Sequence, residues 1–188
     1  MTGLLSPAAP ATRRPTFHPL TVDHVERLTD EATAITFAVP DDLAEAYRFL
    51  PGQHLTLRRS VDGAEVRNSY SICQSVRSGR PGTLRVAAAK VPGGRMSPWL
   101  VDELAMGDVV DVMTPMGTFT CPAQPQTPRH HLAIAAGSGI TPVLSLVTTA
   151  LEEEPGSRVT LLFGNRRTST VMFLEELEDL KDRYGARL

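Results

Sequence analysis

The sequence predicts a six-stranded antiparallel β barrel followed by part of a parallel-sheet α/β domain. Between Leu20 and about Thr120 the chain consists of short β-rich runs separated by turn residues, a pattern typical of an antiparallel barrel or sandwich. After His131 the pattern changes to strand, helix, strand, helix, and this alternation indicates a parallel sheet. Because only two such units precede Leu188, we expect the second domain to be incomplete.

The barrel strands are predicted from β-branched and alternating runs that glycine and proline bound. Pro40 ends one run, and the Pro-Gly turn at residues 51–52 opens another. Five of the six predicted strands are assigned to residues 33–39, 53–59, 66–73, 84–91 and 109–113. One helix interrupts them, from Pro98 to about Leu104, because Ser97 is a suitable N-cap and proline suits the first helical position.

The second part of the chain is predicted to contain two strands and two helices. They are strands at residues 132–135 and 159–163 and helices at residues 141–154 and 170–184. Leu177, Leu180 and Tyr184 share one face of the last helix and are expected to pack. Its acidic positions, residues 175–179, are expected to form a solvated face.

A proline-rich segment separates the two parts. Residues 122–128 contain three prolines and two glutamines, which predicts an interdomain linker. We therefore expect one domain at residues 17–122 and another at residues 129–188. Residues 1–16, rich in proline, alanine and threonine, are expected to be a disordered leader.

Composition and charge exclude several classes of protein. A formal net charge of −2, with no basic run, argues against a dedicated nucleic-acid binder. The most apolar stretch, residues 132–151, contains two glycines and a proline, so we interpret it as strand, turn and helix rather than as a membrane span. With no secretory signal and only two cysteines, Cys73 and Cys121, a cytoplasmic protein is expected.

The first motif is the run Arg-Asn-Ser-Tyr-Ser-Ile-Cys at residues 67–73, on a predicted strand. Side chains alternate across a strand, so Tyr70 lies on one face and Ser69 and Ser71 on the other. A tyrosine can stack on a flat ligand ring while its hydroxyl stays hydrogen-bonded, and the serines can bond a polar ring edge. An ordinary amphipathic strand would show the same pattern, so this run alone leaves both interpretations open.

The second motif is a glycine pair that opens a helix, Gly-Gly-Arg-Met-Ser-Pro at residues 93–98. Glycine lets the backbone approach a ligand closely, and the first N–H groups of a helix can bind phosphate. Arg95 adds a positive charge, and Ser97 adds a hydroxyl. In isolation, a simple loop-to-helix turn is the better interpretation of this run.

The third motif is Gly-Ser-Gly-Ile-Thr-Pro at residues 137–142, between an apolar strand and a helix. That context is the one a dinucleotide site requires, although a tight turn without a ligand would also fit. Pro142 suits the first turn of the helix, where its missing N–H costs nothing. The order of the three motifs, in a barrel followed by an α/β part, is stronger evidence than any one of them.

In this order the motifs resemble the ferredoxin-NADP reductase family, in which a flavin barrel precedes a nicotinamide-nucleotide domain. Residues 163–168 and 171–184 are also similar to the reductase subunits of phenylacetyl-CoA epoxidases, which are multicomponent bacterial oxygenases, so the resemblance covers roughly residues 17–188. One position departs from the family. Its Arg-x-Tyr-Ser motif places arginine two positions before the tyrosine, where this chain has Asn68. Arg67 comes one residue earlier, and its side chain is therefore expected on the opposite face.

The resemblance implies FAD and NAD(P)H as cofactors and oxygenase subunits as partners. The expected FAD contacts are Arg67, Asn68, Ser69, Tyr70, Ser71, Ala87, Ala88, Ala89, Lys90, Gly94, Arg95, Met96 and Ser97. The expected nucleotide contacts are Gly137, Ser138, Gly139, Ile140, Thr141, Pro142, Asn165 and Arg166. No catalytic side chain is assigned, and the five histidines show no metal-ligand spacing. Two cysteines cannot supply the four ligands of the family's [2Fe–2S] cluster.

Hypotheses of two classes follow. The first is an FAD-dependent NAD(P)H oxidoreductase that serves as the reductase component of an oxygenase such as phenylacetyl-CoA epoxidase. The second is a truncated flavin-binding module without competent NAD(P)H turnover. A barrel that binds another small ligand is a third hypothesis, which requires that no flavin co-purifies.

Overall fold

The computed structural model describes residues 14–77 and 79–188, and its first part is an antiparallel sheet. The strands are β1 (Phe17–Thr29), β2 (Ala32–Ala38), β3 (His54–Val61), β4 (Ala64–Ser71), β5 (Thr83–Ala89) and β6 (Val109–Met113). They follow the order β4-β3-β6-β1-β2-β5, and an antiparallel bridge between Ile72 and Val86 joins the two edges. The predicted six-stranded antiparallel barrel is therefore confirmed. The predicted leader lies outside the described residues as far as residue 13.

The second part, which we call the α/β unit, alternates strands and helices as predicted. It comprises β7 (His130–Ala136), a 3-10 turn (Gly137–Gly139), α2 (Ile140–Glu153), β8 (Arg158–Gly164) and α3 (Leu174–Tyr184); the short α1 (Ser97–Asp102) belongs to the barrel. Strands β7 and β8 pair in parallel, with Leu132 opposite Thr160 and Ile134 opposite Leu162. The apolar stretch at residues 132–151 is thus a strand, a turn and a helix. Of the helices within residues 14–77 and 79–188, none is long and apolar enough to cross a membrane.

Helix α3 starts later than the sequence predicts. The expected helix begins at Thr170, but residues 168–170 form a separate 3-10 turn, and α3 begins at Leu174. Phe173 has a φ of +60°, in the left-handed region, and is buried. A left-handed residue cannot continue a helix. The predicted start is wrong because the burial of Phe173 fixes a backbone turn that local helix propensity does not show.

The first hydrophobic core fills the barrel. Its largest fully buried side chains include Leu20, Ile35, Phe37, Leu55 and Leu57. These residues lie on alternate positions of their strands, so one face of each strand points into the barrel.

The second hydrophobic core joins the barrel to the α/β unit. Cys73 and the small outward-facing residues Ala32, Ala34 and Ala87 of the barrel belong to the same buried cluster as Ile140, Leu144, Phe173 and Leu180 of the α/β unit. The two parts therefore share a core along their interface, and this core fixes the neighbourhood of the third motif.

One face of the two-stranded sheet remains exposed. Leu132, Ile134 and Leu162 are between 54% and 69% accessible, and we call these three residues the apolar face. Such exposure is unusual for the strands of a parallel sheet, which are normally covered on both sides.

Candidate functional site

A cleft of about 440 Å³ lies between the barrel and the start of α2. Strand β4, strand β5, the loop before α1 and the glycine turn all contribute to it, and we call it the first cleft. Its lining residues are Asn68, Ser69, Tyr70, Ser71, Ala87, Ala89, Val91, Gly94, Arg95, Met96, Ser97, Ser138, Gly139, Thr141 and Pro142. The three motifs, which lie far apart in the sequence, therefore converge on one cavity.

Strand β4 presents Tyr70 to this cleft. The ring packs partly against the barrel core, and burial raises the pKa of the hydroxyl to about 12. The phenol therefore stays protonated at physiological pH. It offers both an aromatic surface and a hydrogen-bond donor.

Asn68 and Arg67 occupy different environments. Asn68 lines the cleft, whereas Arg67 is absent from the described residues that line it. The Arg67 guanidinium pairs with Glu65 at 2.6 Å and lies 5.0 Å from the centre of the Phe17 ring. These two contacts direct the arginine away from the cavity, although Ser69 and Ser71, on the same face of β4, line it.

The loop before α1 is built around its glycines. Gly93 has a φ of +74°, and the Gly94 N–H donates to the Val91 carbonyl at 2.9 Å. A Cβ at position 94 would approach the Val91 carbonyl oxygen to 3.0 Å and the Ser97 hydroxyl oxygen to 3.1 Å. Any larger residue would therefore disturb the turn that holds this hydroxyl.

The prediction that Ser97 is the N-cap of α1 is wrong. Met96 is the N-cap, and Ser97 is the first residue of the helix. The Ser97 hydroxyl instead accepts a hydrogen bond from the Val91 N–H at 3.0 Å. The serine therefore closes the loop, while its own O–H can donate to a ligand in the cleft.

Arg95 carries the only charge among the described residues that line the first cleft. Its guanidinium is held by a hydrogen bond from Nη2 to the Val61 carbonyl at 2.9 Å, at the turn between β3 and β4. The positive charge that the family places on the strand is absent at Asn68. In this chain the cleft receives a positive charge from the loop.

Strand β5 forms the floor with small side chains. Ala87 and Ala89 line the cleft, whereas Ala88 points into the barrel core and is 1% exposed. Alanines leave room for a flat ligand to lie along the strand. Ala88 can therefore contact a ligand in the cleft only through its backbone.

A larger, second cleft of about 820 Å³ continues from the first. Ala89 and Ser138 line both cavities. The lining residues of the second cleft are Thr29, Glu31, Ala32, Ala89, Lys90, Ala136, Gly137, Ser138, Gly164, Asn165, Arg166, Arg167, Thr170 and Met172. The two clefts form one crevice that runs between the barrel and the α/β unit.

The second cleft has an excess of positive charge at its α/β side. Asn165, Arg166 and Arg167 follow β8 at its carboxyl end, beside the glycine turn, where parallel sheets bind ligands. Lys90, on the barrel side, pairs with Asp102. Arg166 and Arg167 are exposed and can reach an anionic ligand.

The glycine turn is held from within. The Thr141 hydroxyl donates to the Ser138 carbonyl at 2.9 Å, and Ile140 is completely buried in the second core. Gly137 has a φ of +50°, which favours glycine. Ile140 therefore anchors the turn, and its side chain does not face either cleft.

The sequence prediction and the structure differ in a few residues. Of the predicted contacts, the side chains of Arg67, Ala88 and Ile140 lie off both clefts, and the others line one or both. Sequence reasoning missed Val91 and Arg167, although both adjoin a predicted motif. It also missed Thr29 and Glu31, which reach the crevice through tertiary packing and carry no local signal.

The sequence predicts that all the acidic positions of α3 are solvated, but the structure shows that one of them is not. Glu176 forms an ion pair with Arg85 of the barrel, with the Nη2 to Oε1 distance at 2.6 Å. The prediction is wrong for this residue because α3 packs with this face against the barrel.

Cys73, His130 and His131 make packing or hydrogen-bond contacts within the fold. Cys73 is buried in the second core, and burial raises the pKa of its thiol to about 12. His130 bonds Thr160 at 2.9 Å, and His131 bonds Glu154 at 2.8 Å. Within residues 14–77 and 79–188 no group of three or more histidine, cysteine or acidic residues could hold a metal ion.

Comparison with known protein families identifies both parts of the chain. Residues 19–121 match the oxidoreductase FAD-binding domain, and residues 133–188 match the oxidoreductase NAD-binding domain. The first match alone covers more than half of the 188 residues.

Individual relatives are components of oxygenase systems. The chain is 50% identical to one of the subunits of 1,2-phenylacetyl-CoA epoxidase from Escherichia coli, over 92% of the chain and 48% of that protein. It is 38% identical to the ferredoxin reductase component of 3-ketosteroid-9-alpha-monooxygenase from Rhodococcus rhodochrous, over 90% of the chain and 47% of that protein. The chain spans about half the length of these curated relatives.

A solved structure shows the same fold. The cytochrome P450 reductase GcoB of Amycolatopsis superposes with a TM-score of 0.74 at 27% identity, covering 94% of this chain and 52% of that one.

Proposed function

Because the chain belongs to the ferredoxin-NADP reductase family, we propose that it is an FAD-dependent NAD(P)H oxidoreductase module that serves as the reductase component of an oxygenase. The main observation behind this proposal is that the first and second clefts form one crevice. The two clefts meet at Ala89 and Ser138, which line both of them. Such a crevice can hold two ligands end to end, so that their reactive rings meet at the point where the clefts join.

The residues of the first cleft fit a flavin. Tyr70 supplies an aromatic surface, and Ser69 and Ser71 supply hydroxyls for the polar edge of the ring. The small side chains of Ala87 and Ala89 leave space for a flat ring. The glycine loop has no room for a Cβ at position 94, and with Arg95 and Ser97 it provides charge and donors for a pyrophosphate.

The residues of the second cleft fit the phosphates of a nicotinamide nucleotide. The glycine turn at Gly137–Gly139 offers backbone N–H groups, and Asn165 and Arg166 offer a donor and a charge at the end of β8. The role of the protein is to bind and orient the two ligands, and to limit the access of water to their junction. A bound flavin would supply the redox chemistry, since it accepts a hydride and releases electrons singly.

The proposed oxygenase partner is supported by the relatives. The Escherichia coli protein is a component of phenylacetyl-CoA epoxidase, and the Rhodococcus protein is a monooxygenase component. By that likeness we propose that a phenylacetyl-CoA epoxidase is the oxygenase served. The two cysteines of the chain are too few for a [2Fe–2S] cluster, so the one-electron acceptor would lie outside these 188 residues.

Replacing Tyr70 with alanine tests the flavin site. Loss of the stacked ring should weaken flavin binding by about 1 kcal/mol or more, which is roughly fivefold or greater in Kd. Titration of flavin-free protein, followed by quenching of flavin fluorescence, measures this change. Tyr47→Phe is a suitable control, because Tyr47 is a buried barrel tyrosine whose hydroxyl donates to Val112 and which does not line the cleft. An unchanged Kd in Tyr70→Ala would rule out the assigned site.

A flavin-binding module without NAD(P)H turnover is the second candidate. The exposed apolar face favours it, because an α/β unit with one sheet face uncovered is less rigid than a covered one. Anaerobic addition of NADH or NADPH distinguishes the two candidates. Bleaching of the flavin bands supports the oxidoreductase, whereas bound flavin that stays oxidised supports the module.

A further inference from the structure

Arg85 of β5 connects three elements at the interface between the barrel and the α/β unit. Its guanidinium bonds Glu26 of β1 at 2.7 Å and Glu176 of α3 at 2.6 Å. It also lies 5.3 Å from the centre of the Phe173 ring, which precedes α3. The Arg85 side chain is 17% exposed, whereas Glu26 is 45% and Glu176 37% exposed, so burial protects the guanidinium from solvent more than it protects its two partners.

The strand that carries Arg85 also contributes the floor of the first cleft, further along β5. The Arg85 N–H donates to the Gln74 side chain at 2.8 Å, and the Arg85 carbonyl accepts from the Cys73 N–H at 2.9 Å. Ala87, two residues further along β5, lines the cleft. The segments that follow β4 and form β5 are therefore tied together where the α/β unit docks on them.

Helix α2 contacts the same segment. The Ser145 hydroxyl donates to the Gln74 carbonyl at 2.7 Å, and the Ser75 hydroxyl bonds the Glu152 carboxylate. Both helices of the α/β unit thus make polar contacts with the barrel next to the cleft floor. The glycine turn opens α2, so a shift of this helix would move the turn.

The apolar part of the interface holds the two parts together, but it has few long interlocking side chains on the barrel side. Its fully buried residues on the barrel side are Ala32, Ala34, Cys73 and Ala87, whose side chains are short, and the partly buried Leu28 and Ala89 pack beside them. Interfaces between domains of one chain allow relative motion unless they are large and strongly interlocked. Directional contacts, such as the ion pair between Arg85 and Glu176, restrict sliding on such a surface.

We infer that Arg85 is a positioning residue, which through Glu176 holds the glycine turn of the α/β unit in register with the cleft floor. This inference rests on the proposed function, since it concerns how the two ligand sites are aligned for hydride transfer. Arg85 lines neither the first nor the second cleft, so its effect would be on geometry rather than on ligand contact. A displacement of the turn by a fraction of an ångström would lengthen the transfer distance without removing either ligand.

The two carboxylates that share Arg85 provide a matched pair of variants. Glu176→Gln removes the carboxylate that pairs with Arg85 across the interface. Glu26→Gln also removes one carboxylate partner of Arg85, but this partner lies within the barrel. In the full chain loaded with FAD, anaerobic stopped-flow reduction by NAD(P)H measures the limiting rate and the nucleotide Kd separately. We expect Glu176→Gln to lower the limiting rate roughly tenfold or more, with flavin content and nucleotide Kd near wild type. We expect Glu26→Gln to stay within about twofold of wild type.

Deuterated nicotinamide cofactor gives a readout that a general loss of stability would not change. The primary isotope effect on flavin reduction should increase in Glu176→Gln, since transfer itself becomes limiting, and remain unchanged in Glu26→Gln. Equal rates and equal isotope effects in the two variants would overturn the inference. If Glu176→Gln does not fold, Glu176→Asp, which keeps the charge but shortens the reach, takes its place in the same comparison.

A measurement without nucleotide separates this inference from the proposed function. Hydrogen–deuterium exchange of the flavin-free chain should be faster at residues 140–151 and 174–184 in Glu176→Gln than in Glu26→Gln. If NAD(P)H does not reduce the wild-type flavin, the proposed function fails. The comparison of hydrogen–deuterium exchange between the two variants then tests by itself whether Arg85 positions the α/β unit. Identical exchange in the two variants would then refute it.

Discussion

Replacing Glu154 with glutamine should remove a large part of the stability of the α/β unit. The Glu154 side chain, at the end of α2, is 1% exposed and is surrounded by donors. Oε1 accepts from the Gln124 N–H at 3.0 Å, Oε2 bonds His131 Nε2 at 2.8 Å, and the Arg129 guanidinium pairs with the carboxylate. One buried carboxylate therefore joins α2 to β7 and to the segment predicted as the interdomain linker.

The size of the effect follows from the pKa of Glu154. Burial alone would raise it, but hydrogen bonds from Arg129, His131, the Gln124 backbone and Ser157 outweigh burial and lower the pKa from 4.5 to about 2. A difference of about 2.5 pH units at 1.36 kcal/mol per unit corresponds to about 3 kcal/mol. Because the folded-state pKa is depressed, this contribution is fully present above about pH 4.5 and is lost as the pH falls towards 2. Breaking a buried ion pair by removing one partner costs a similar amount.

Equilibrium unfolding in urea, compared between Glu154→Gln and Glu153→Gln, measures this contribution. The control makes the same chemical change one residue earlier, where the side chain is only half-buried. At pH 7 we expect Glu154→Gln to have a free energy of unfolding about 3 kcal/mol lower than the control. The difference should shrink as the pH is lowered through 4.5. A gap below about 0.5 kcal/mol at pH 7, or one that does not change with pH, would contradict the assignment of these hydrogen bonds.

Two further predictions concern the cleft and the exposed sheet. Asn68→Arg should tighten flavin binding by roughly 1.5–3 kcal/mol, measured by fluorescence titration, because it adds a charge-assisted contact next to the phosphate loop; no gain would indicate that Arg95 already supplies the required charge. An exposed apolar face favours self-association, so we expect the chain to associate as its concentration rises in sedimentation velocity. Ile134→Lys places a charge on this face and should abolish the association, whereas Met106→Lys, at a similarly exposed position on the barrel, should not. Equal association in both variants would exclude the apolar face as the contact.

Local sequence patterns predicted the strands and the backbone structure of the three motifs, because both depend on residues that are close together in the chain. The glycine turn before α2 needs a positive φ at Gly137 and a proline in the first helical turn, and both requirements are visible in the sequence. The same alternation rule correctly separated Arg67 from the face that carries Asn68. The convergence of the motifs on one cleft could be inferred only from the resemblance, since it depends on how the α/β unit docks.

The predictions that failed involve contacts that helix and capping preferences do not show. Ser97 has the residue type of an N-cap, but its hydroxyl is used by the Val91 N–H. Glu176 looks like part of a solvated acidic face until α3 is placed beside Arg85. Helix propensity continues through Phe173, whose burial fixes a left-handed backbone instead. In each case a contact made outside the helix overrides a local preference.

The alanines of β2 and β5 show why docking is hard to predict from this sequence. Ala34 and Ala87 are register partners on adjacent strands, and both point out of the barrel. In an isolated barrel they would be exposed, yet here they are 1% and 4% accessible because the α/β unit covers them. A short apolar run that is buried on both faces has no alternation to show which face meets which partner. On the same strand as Ala87, Arg85 pairs with Glu176 of α3, so β5 contributes both apolar and charged contacts to the docking of the α/β unit.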